Sequence, residues 1–269
     1  MCHQQRHSQR LRRGMSLAEL IMSLAVMTMV AMTVGTMAMA VQTTSDFSRN
    51  QSTAVQHARV VLDRIDRTLQ SAQVSESFPG FMVVTWTEGS GTFPDTLVIW
   101  KPTAAAVDPT GVPRANELVI VRPDPNDPGT LLEITNPSEP ATTTYAATNL
   151  ASWRTLVTTL TNRSNAKKVE LTALLRTAAT STGSNPTQRG AVRFRQSATP
   201  TATELANYRG GTATWTSLAW PQDLVGRTRG MRAITCFTEL QLAPDESDTS
   251  ASNTLPFFGS TALWKEVVR

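Results

Sequence analysis

Leu20 to Val41 is an apolar stretch of about 22 residues with no charge and no proline. At roughly 1.5 Å of rise per helical residue, such a run crosses a hydrocarbon core of roughly 30 Å. The apolar signal then changes without ending. Ala54, Ala58, Val61, Leu62, Ile65, Leu69 and Ala72 recur at three- and four-residue steps, which is one face of an amphipathic helix. On another face Arg59, Asp63 and Arg67 stand four apart and can pair. The pattern predicts one helix over about residues 16–73, bent near Gly35 or within 42–50, where Ser45 or Asp46 offers a break or a weak cap. Its outer half is expected to lie on the chain's own sheet, with a partner-binding face as the other reading of the stripe.

From Phe78 the helical period gives way to short β-rich segments. Strands are predicted at Phe81–Trp86, Thr96–Trp100, Glu117–Val121 and Leu131–Thr135. Later ones are expected at Ala191–Gln196, Met231–Leu242 and Leu263–Val268. Asp124–Gly129, with two prolines and a glycine, reads as a turn between antiparallel neighbours. In the long strand Ile234, Cys236, Leu240 and Leu242 share a face. Leu150, Trp153, Leu156, Val157 and Leu160 have helical spacing, with Thr148 or Asn149 as the cap. Lys168–Arg176 fits helix or strand. Val107–Ala115, Ala178–Gly190 and Asp245–Asn253 read as loops, and no internal repeat is present. The fold class is α+β: a long N-terminal helix, half membrane-like and half amphipathic, packed on an antiparallel β-rich domain. The divisions are 1–14, 15–41, 42–73 and 74–269.

Charge refines this picture. The chain has 25 basic and 21 acidic residues, and its first fourteen residues hold four arginines and no acid. Without that segment the chain is formally neutral, so a nucleic-acid reading built on the overall basicity fails, and no nucleic-acid partner is predicted. The arginines before the apolar run (Arg6, Arg10, Arg12 and Arg13) place that end on the cytoplasmic side. Glu19 stands at the edge of the run, five residues after Gly14. A carboxylate there is costly unless it is protonated or meets a cation.

Arg12-Arg13-Gly14-Met15-Ser16-Leu17-Ala18-Glu19 followed by this helix resembles the class III signal of type IV prepilins and type II secretion pseudopilins. The resemblance implies cleavage after Gly14 by a membrane prepilin peptidase and N-methylation of Met15. It also implies an assembly role for Glu19 through a neighbouring N-terminal amine. The family usually has Phe where Met15 stands, and the usual helix-kinking proline is absent. The likeness is strong over 10–41, moderate to about residue 72 and weak beyond. A β domain of about 195 residues and the segment Ala58–Arg67 make the J-type minor pseudopilin the nearest likeness. That implies a tip-proximal structural subunit of a type II secretion or type IV pilus-like filament, with other pilins or pseudopilins as partners. It also implies a single-pass inner-membrane anchor with the leader cytoplasmic and the β domain periplasmic or extracytoplasmic. Two alternatives stand beside it. One is a plain membrane-anchored protein. The other is a secreted extracytoplasmic binding protein, released at the signal-peptidase-like site Ala38-Met39-Ala40.

Candidate chemistry is sparse. With Cys2, His3 and His7 in the leader, Cys236 and His57 remain. No intrachain disulfide, no Cys/His metal site and no Ser-His-Asp arrangement is expected from them. Cys236 reads as a small core residue and His57 as a helix surface position. Asp124–Gly129 is oxygen-rich like a calcium loop, but its prolines and lack of a spaced glutamate favour a turn. Gly89-Ser90-Gly91 lacks the lysine and helix of a phosphate loop. Asp63 and Asp66 have arginine neighbours and read as a solvated face rather than an acid–base pair. Trp86, Trp100 and Trp153 read as core; Trp215 and Trp220, near a proline, read as exposed. No enzyme activity, cofactor or metal is predicted.

Overall fold

The computed structural model describes residues 16–89, 91–102, 111–140, 144–145, 147–180, 187–218, 230–244 and 254–267. The chain divides into two units, Met1–Arg49 and Asn50–Arg269. Helix α1 spans Leu17–Gln70 and stays helical through Gly35 and through 42–50, so the break considered there is absent. In the first unit its residues are exposed, and an 18-residue window has a mean hydropathy of 2.0 with none of it buried. The hydroxyls within this stretch bond back to the helix itself. Ser23 donates to the Leu20 carbonyl, Thr28 to Ala25, and Thr33 to Val30. Such internal satisfaction lets a helix carry Ser and Thr at membrane depth.

Among the described residues of the second unit, ten strands and two further α-helices follow. The first sheet is antiparallel in the order β1-β2-β3-β4-β5: β1 Phe81–Glu88, β2 Gly91–Trp100, β3 Leu118–Pro123, β4 Leu131–Thr135 and β5 Lys167–Thr172. The turn at 124–129 joins β3 to β4, as its composition predicts. The Lys168–Arg176 ambiguity resolves to strand over β5. A second, three-stranded sheet has the order β10-β9-β8, from β8 Val192–Thr199, β9 Met231–Leu242 and β10 Leu255–Glu266. The interval read as a loop at 178–190 contains parts of β6 Thr177–Ala179 and β7 Gln188–Gly190, which pair antiparallel. These three-residue strands fall below the length at which alternation can be read. β10 begins eight residues before the expected start; Pro256 and Gly259 disguise its first half. Helix α2, Leu150–Thr161, begins at the predicted Asn149, whose side chain accepts from the Ser152 amide. Helix α3, Ala202–Arg209, was not expected. Thr201 and Glu204 cap it reciprocally, a sequence signature that could have revealed it.

The first sheet is covered on both faces, so β2 and β3 carry the continuous apolar runs Leu97–Trp100 and Leu118–Val121. Phe81, Leu97, Ile99, Val121 and Leu131 join one core with the α1 stripe and with Phe194, Ile234, Cys236 and Leu240 of the second sheet. Met82, Val98, Trp100, Ile120 and Ile134 join the opposite core with Trp153 and Val157 of α2. The period of two in each strand thus feeds two cores. Ala54, Ala58, Val61, Ile65 and Leu69 are buried and Leu62 and Ala72 pack beside them, so the helical stripe is the spine of the first core. Gly259 lets β10 approach that spine; a Cβ there would stand 3.0 Å from Leu62 Cδ2.

Candidate functional site

Two regions hold the candidate functional residues. The first is the start of α1. Gly14 and Met15, the expected cleavage pair, lie outside the described residues. Glu19 is exposed in the first turn, where an acid favours the helix dipole. Its Oε2 accepts from the Ser16 amide at 3.0 Å, and the Glu19 amide donates to Ser16 Oγ at 3.2 Å. Ser16 and Glu19 therefore form a reciprocal cap, which the sequence reading missed although the Ser-x-x-Glu spacing signals it.

The second is a groove beside the middle of α1, within the second unit. Val55, Arg59, Leu62, Asp63 and Asp66 of α1 face Phe257–Thr261 of β10 across a cavity of about 520 Å³. Phe258 at its lip is 70% exposed, a large apolar ring in solvent. Of the two acids read as arginine-paired, Asp63 does meet Arg67, at 2.8 Å. Asp66 instead accepts from Gln70 Nε2 at 2.7 Å and from Thr261 Oγ1 at 2.6 Å, linking helix and strand. Helix periodicity alone could place these acids on a face but not against β10.

The remaining candidates serve structure. Cys236 is fully buried and burial pushes its thiol up to about 12, so it stays protonated and inert. His57 is half-buried rather than on the open surface, with Nδ1 3.2 Å from Thr172 Oγ1 of β5. In the 124–129 turn Asp124 accepts from the Asn126 amide and Asp127 from the Gly129 amide and the Thr130 hydroxyl, so these carboxylates close the turn. Among the described residues no three His, Cys, Asp or Glu side chains gather as metal ligands. Trp153 and Trp100 are buried and Trp86 half-buried. Trp215 is half-buried against Tyr208, and Trp220 lies outside the described residues.

A polar cluster joins β1, β2, β3 and β7. Arg189 bonds both Glu88 and Asp95 at 2.7 Å. Burial pushes the Asp95 carboxyl above the usual range and the Arg122 guanidinium below it. Arg122 lies over the Trp86 ring, 5.1 Å from its centroid.

No protein-family model, curated protein or solved structure matches this chain.

Proposed function

We propose that the chain is a minor pilin or pseudopilin, a structural subunit rather than an enzyme. One observation carries the reading. A membrane-length apolar helix continues without interruption into the helix that forms the spine of a β domain. A cleavable signal or a plain anchor has no need of that continuity, because neither requires the apolar run and the core-forming stripe to belong to one helix. The Arg12–Glu19 segment supplies the processing site, with the cut between Gly14 and Met15, methylation of Met15, and Glu19 as the assembly acid. The subunit sits in the inner membrane with its β domain outside the cytoplasm. Its partners are the prepilin peptidase and other pilins or pseudopilins of a type II secretion or type IV pilus-like filament. The size of the β domain suits a tip-proximal position, since large domains pack laterally less readily.

Mass spectrometry of the mature N-terminus in the native host tests this. An N-methylated Met15 is expected, and replacing Gly14 with a bulky residue should leave the precursor uncut. An unprocessed chain, or a terminus at Val41 from cleavage after Ala40, rejects the reading; the second favours a secreted binding protein.

A further inference from the structure

We propose that the outer face of the β10-β9-β8 sheet binds a neutral, hydroxyl-rich polysaccharide, laid along β10 and stacked on Phe258, Phe237 and Trp264. This does not rest on the filament reading.

Register builds the face. Phe194, Ile234, Cys236 and Leu240 of this sheet turn into the first core, so the residues alternating with them turn away from it. Cross-strand pairing sets these in rows. Arg193 stands beside Glu239 and Phe258, Arg195 beside Phe237 and Ser260, and Thr199 beside Ala233 and Trp264. Three aromatic rings thereby reach solvent, Phe258 at 70% exposure, Trp264 at 52% and Phe237 at 36%. A single exposed ring is ordinary, whereas three on one sheet face mark a binding surface. Phe258 and Trp264 stand on one strand about 20 Å apart, with Phe237 beside the interval. No stretch of sequence shows this row, because its members come from three strands.

Chemistry selects the ligand. Among the described residues the ionisable groups of this face are Arg193, Arg195, Glu239 and Glu266, two positive and two negative. A polyanion finds no excess of cations there. Ser260 and Ala262 separate the rings, so they do not form the continuous apolar centre of a protein interface. A pyranose matches both features. Its C–H face packs on the electron-rich face of an aromatic ring, and its hydroxyls both donate and accept. Arg195 lies over Phe237, 4.7 Å from the ring centroid, and Glu239 accepts from Gln241 Nε2 at 3.0 Å. The two arginines thus offer donors, and Glu239 an acceptor, beside the rings. With Phe237 and Phe258 they line a cavity of about 240 Å³, which receives one sugar ring. The following rings run along β10 over Ser260 and Ala262 to Trp264.

The test is binding of cellohexaose, maltohexaose and chitohexaose to the full chain in a detergent without sugar headgroups, read by calorimetry and by tryptophan fluorescence. Wild type should bind at least one of them, with its tryptophan emission altered and its affinity nearly unchanged by salt. Phe258→Ala and Trp264→Ala should each weaken binding about tenfold, because each removes a stacking face. Phe258→Tyr and Trp264→Phe keep a ring and should bind nearly as wild type does, the second without the fluorescence change. Unchanged thermal midpoints establish that the variants fold. A wild type that binds none of the three sugars, or alanine variants that bind as tightly as wild type, would overturn the proposal. An oligothymidylate bound more tightly than the sugars and released by salt would assign the face to a polyanion and overturn it as well.

Discussion

Arg64 on α1 grips Glu133 on β4 with both arms of its guanidinium, Nε to Oε2 at 2.8 Å and the second nitrogen to Oε1 at 2.6 Å. The carboxylate is buried and the arginine half-exposed. Bonding to Glu133 holds the Arg64 guanidinium above its ordinary range. The pair fixes the rotation of the helix spine against the first sheet, because a planar fork on a carboxylate admits one orientation. Arg64→Ala should cost about 1–3 kcal/mol, mainly by stranding a buried acceptor. Arg64→Ala combined with Glu133→Leu should recover much of that loss. Chemical denaturation of the three variants checks this; an Arg64→Ala midpoint equal to wild type would contradict it.

The α1 stripe should be indispensable to the β domain. A chain beginning near Ser45 keeps Ala54, Val61, Ile65 and Leu69, whereas one beginning near Ser77 exposes the core they fill. The shorter chain should lose cooperative thermal unfolding. In the longer one, Ile65→Ala should cost about 2–4 kcal/mol through the cavity left behind. Equal thermal midpoints for the two truncations would show that the stripe serves a partner instead.

Acid sensitivity should trace in part to Glu76. Lys265 at the end of β10 and Arg209 at the end of α3 both bond its carboxylate at 2.8 Å and hold it below the usual carboxylate range. A depressed folded pKa means the unfolded chain binds the proton more readily. The contribution is therefore present above about pH 4.3 and is lost as pH falls through the lower folded value. Glu76→Gln should flatten the pH dependence of stability in that window and leave its shape near neutrality unaltered. An unchanged acid limb would remove Glu76 from this role.

The Ser16–Glu19 cap separates two roles for the acid. Glu19→Ala removes both the cap and the charge. Glu19→Gln keeps the capping geometry, since an amide oxygen also accepts from the Ser16 amide, but is neutral. If Glu19 aligns neighbouring chains through an N-terminal amine, both variants should insert and be cleaved normally and both should fail to crosslink to partner pilins in the host. Normal crosslinking by Glu19→Gln would reduce the residue to a helix cap.

Periodicity exposed α2, the α1 stripe and the long strands because burial imposes it, and continuous hydropathy exposed the run from Leu20. The stripe from Ala54 to Ala72, α2 with its Asn149 cap, and the alternation that buries Cys236 were all legible for the first reason. Composition likewise placed the 124–129 turn, since proline and glycine restrict the backbone locally. Four elements were not legible as read. β6 and β7 are too short to alternate, and Pro256 and Gly259 mask the start of β10. α3 has a clear cap but no apolar stripe, because of its residues only Leu205 is buried.

By itself the sequence determined that an apolar, membrane-length helix leads into an amphipathic one and then into an antiparallel β domain. These are local properties of period and propensity. The tertiary structure alone decided that the described strands divide into three sheets, two of them around that spine, that Arg64 meets Glu133, and that Asp66 meets Thr261 of β10. Each of these joins residues some seventy to two hundred positions apart. Nothing in a window of sequence records such a pairing, because it follows from which faces remain to be buried once the local elements have formed.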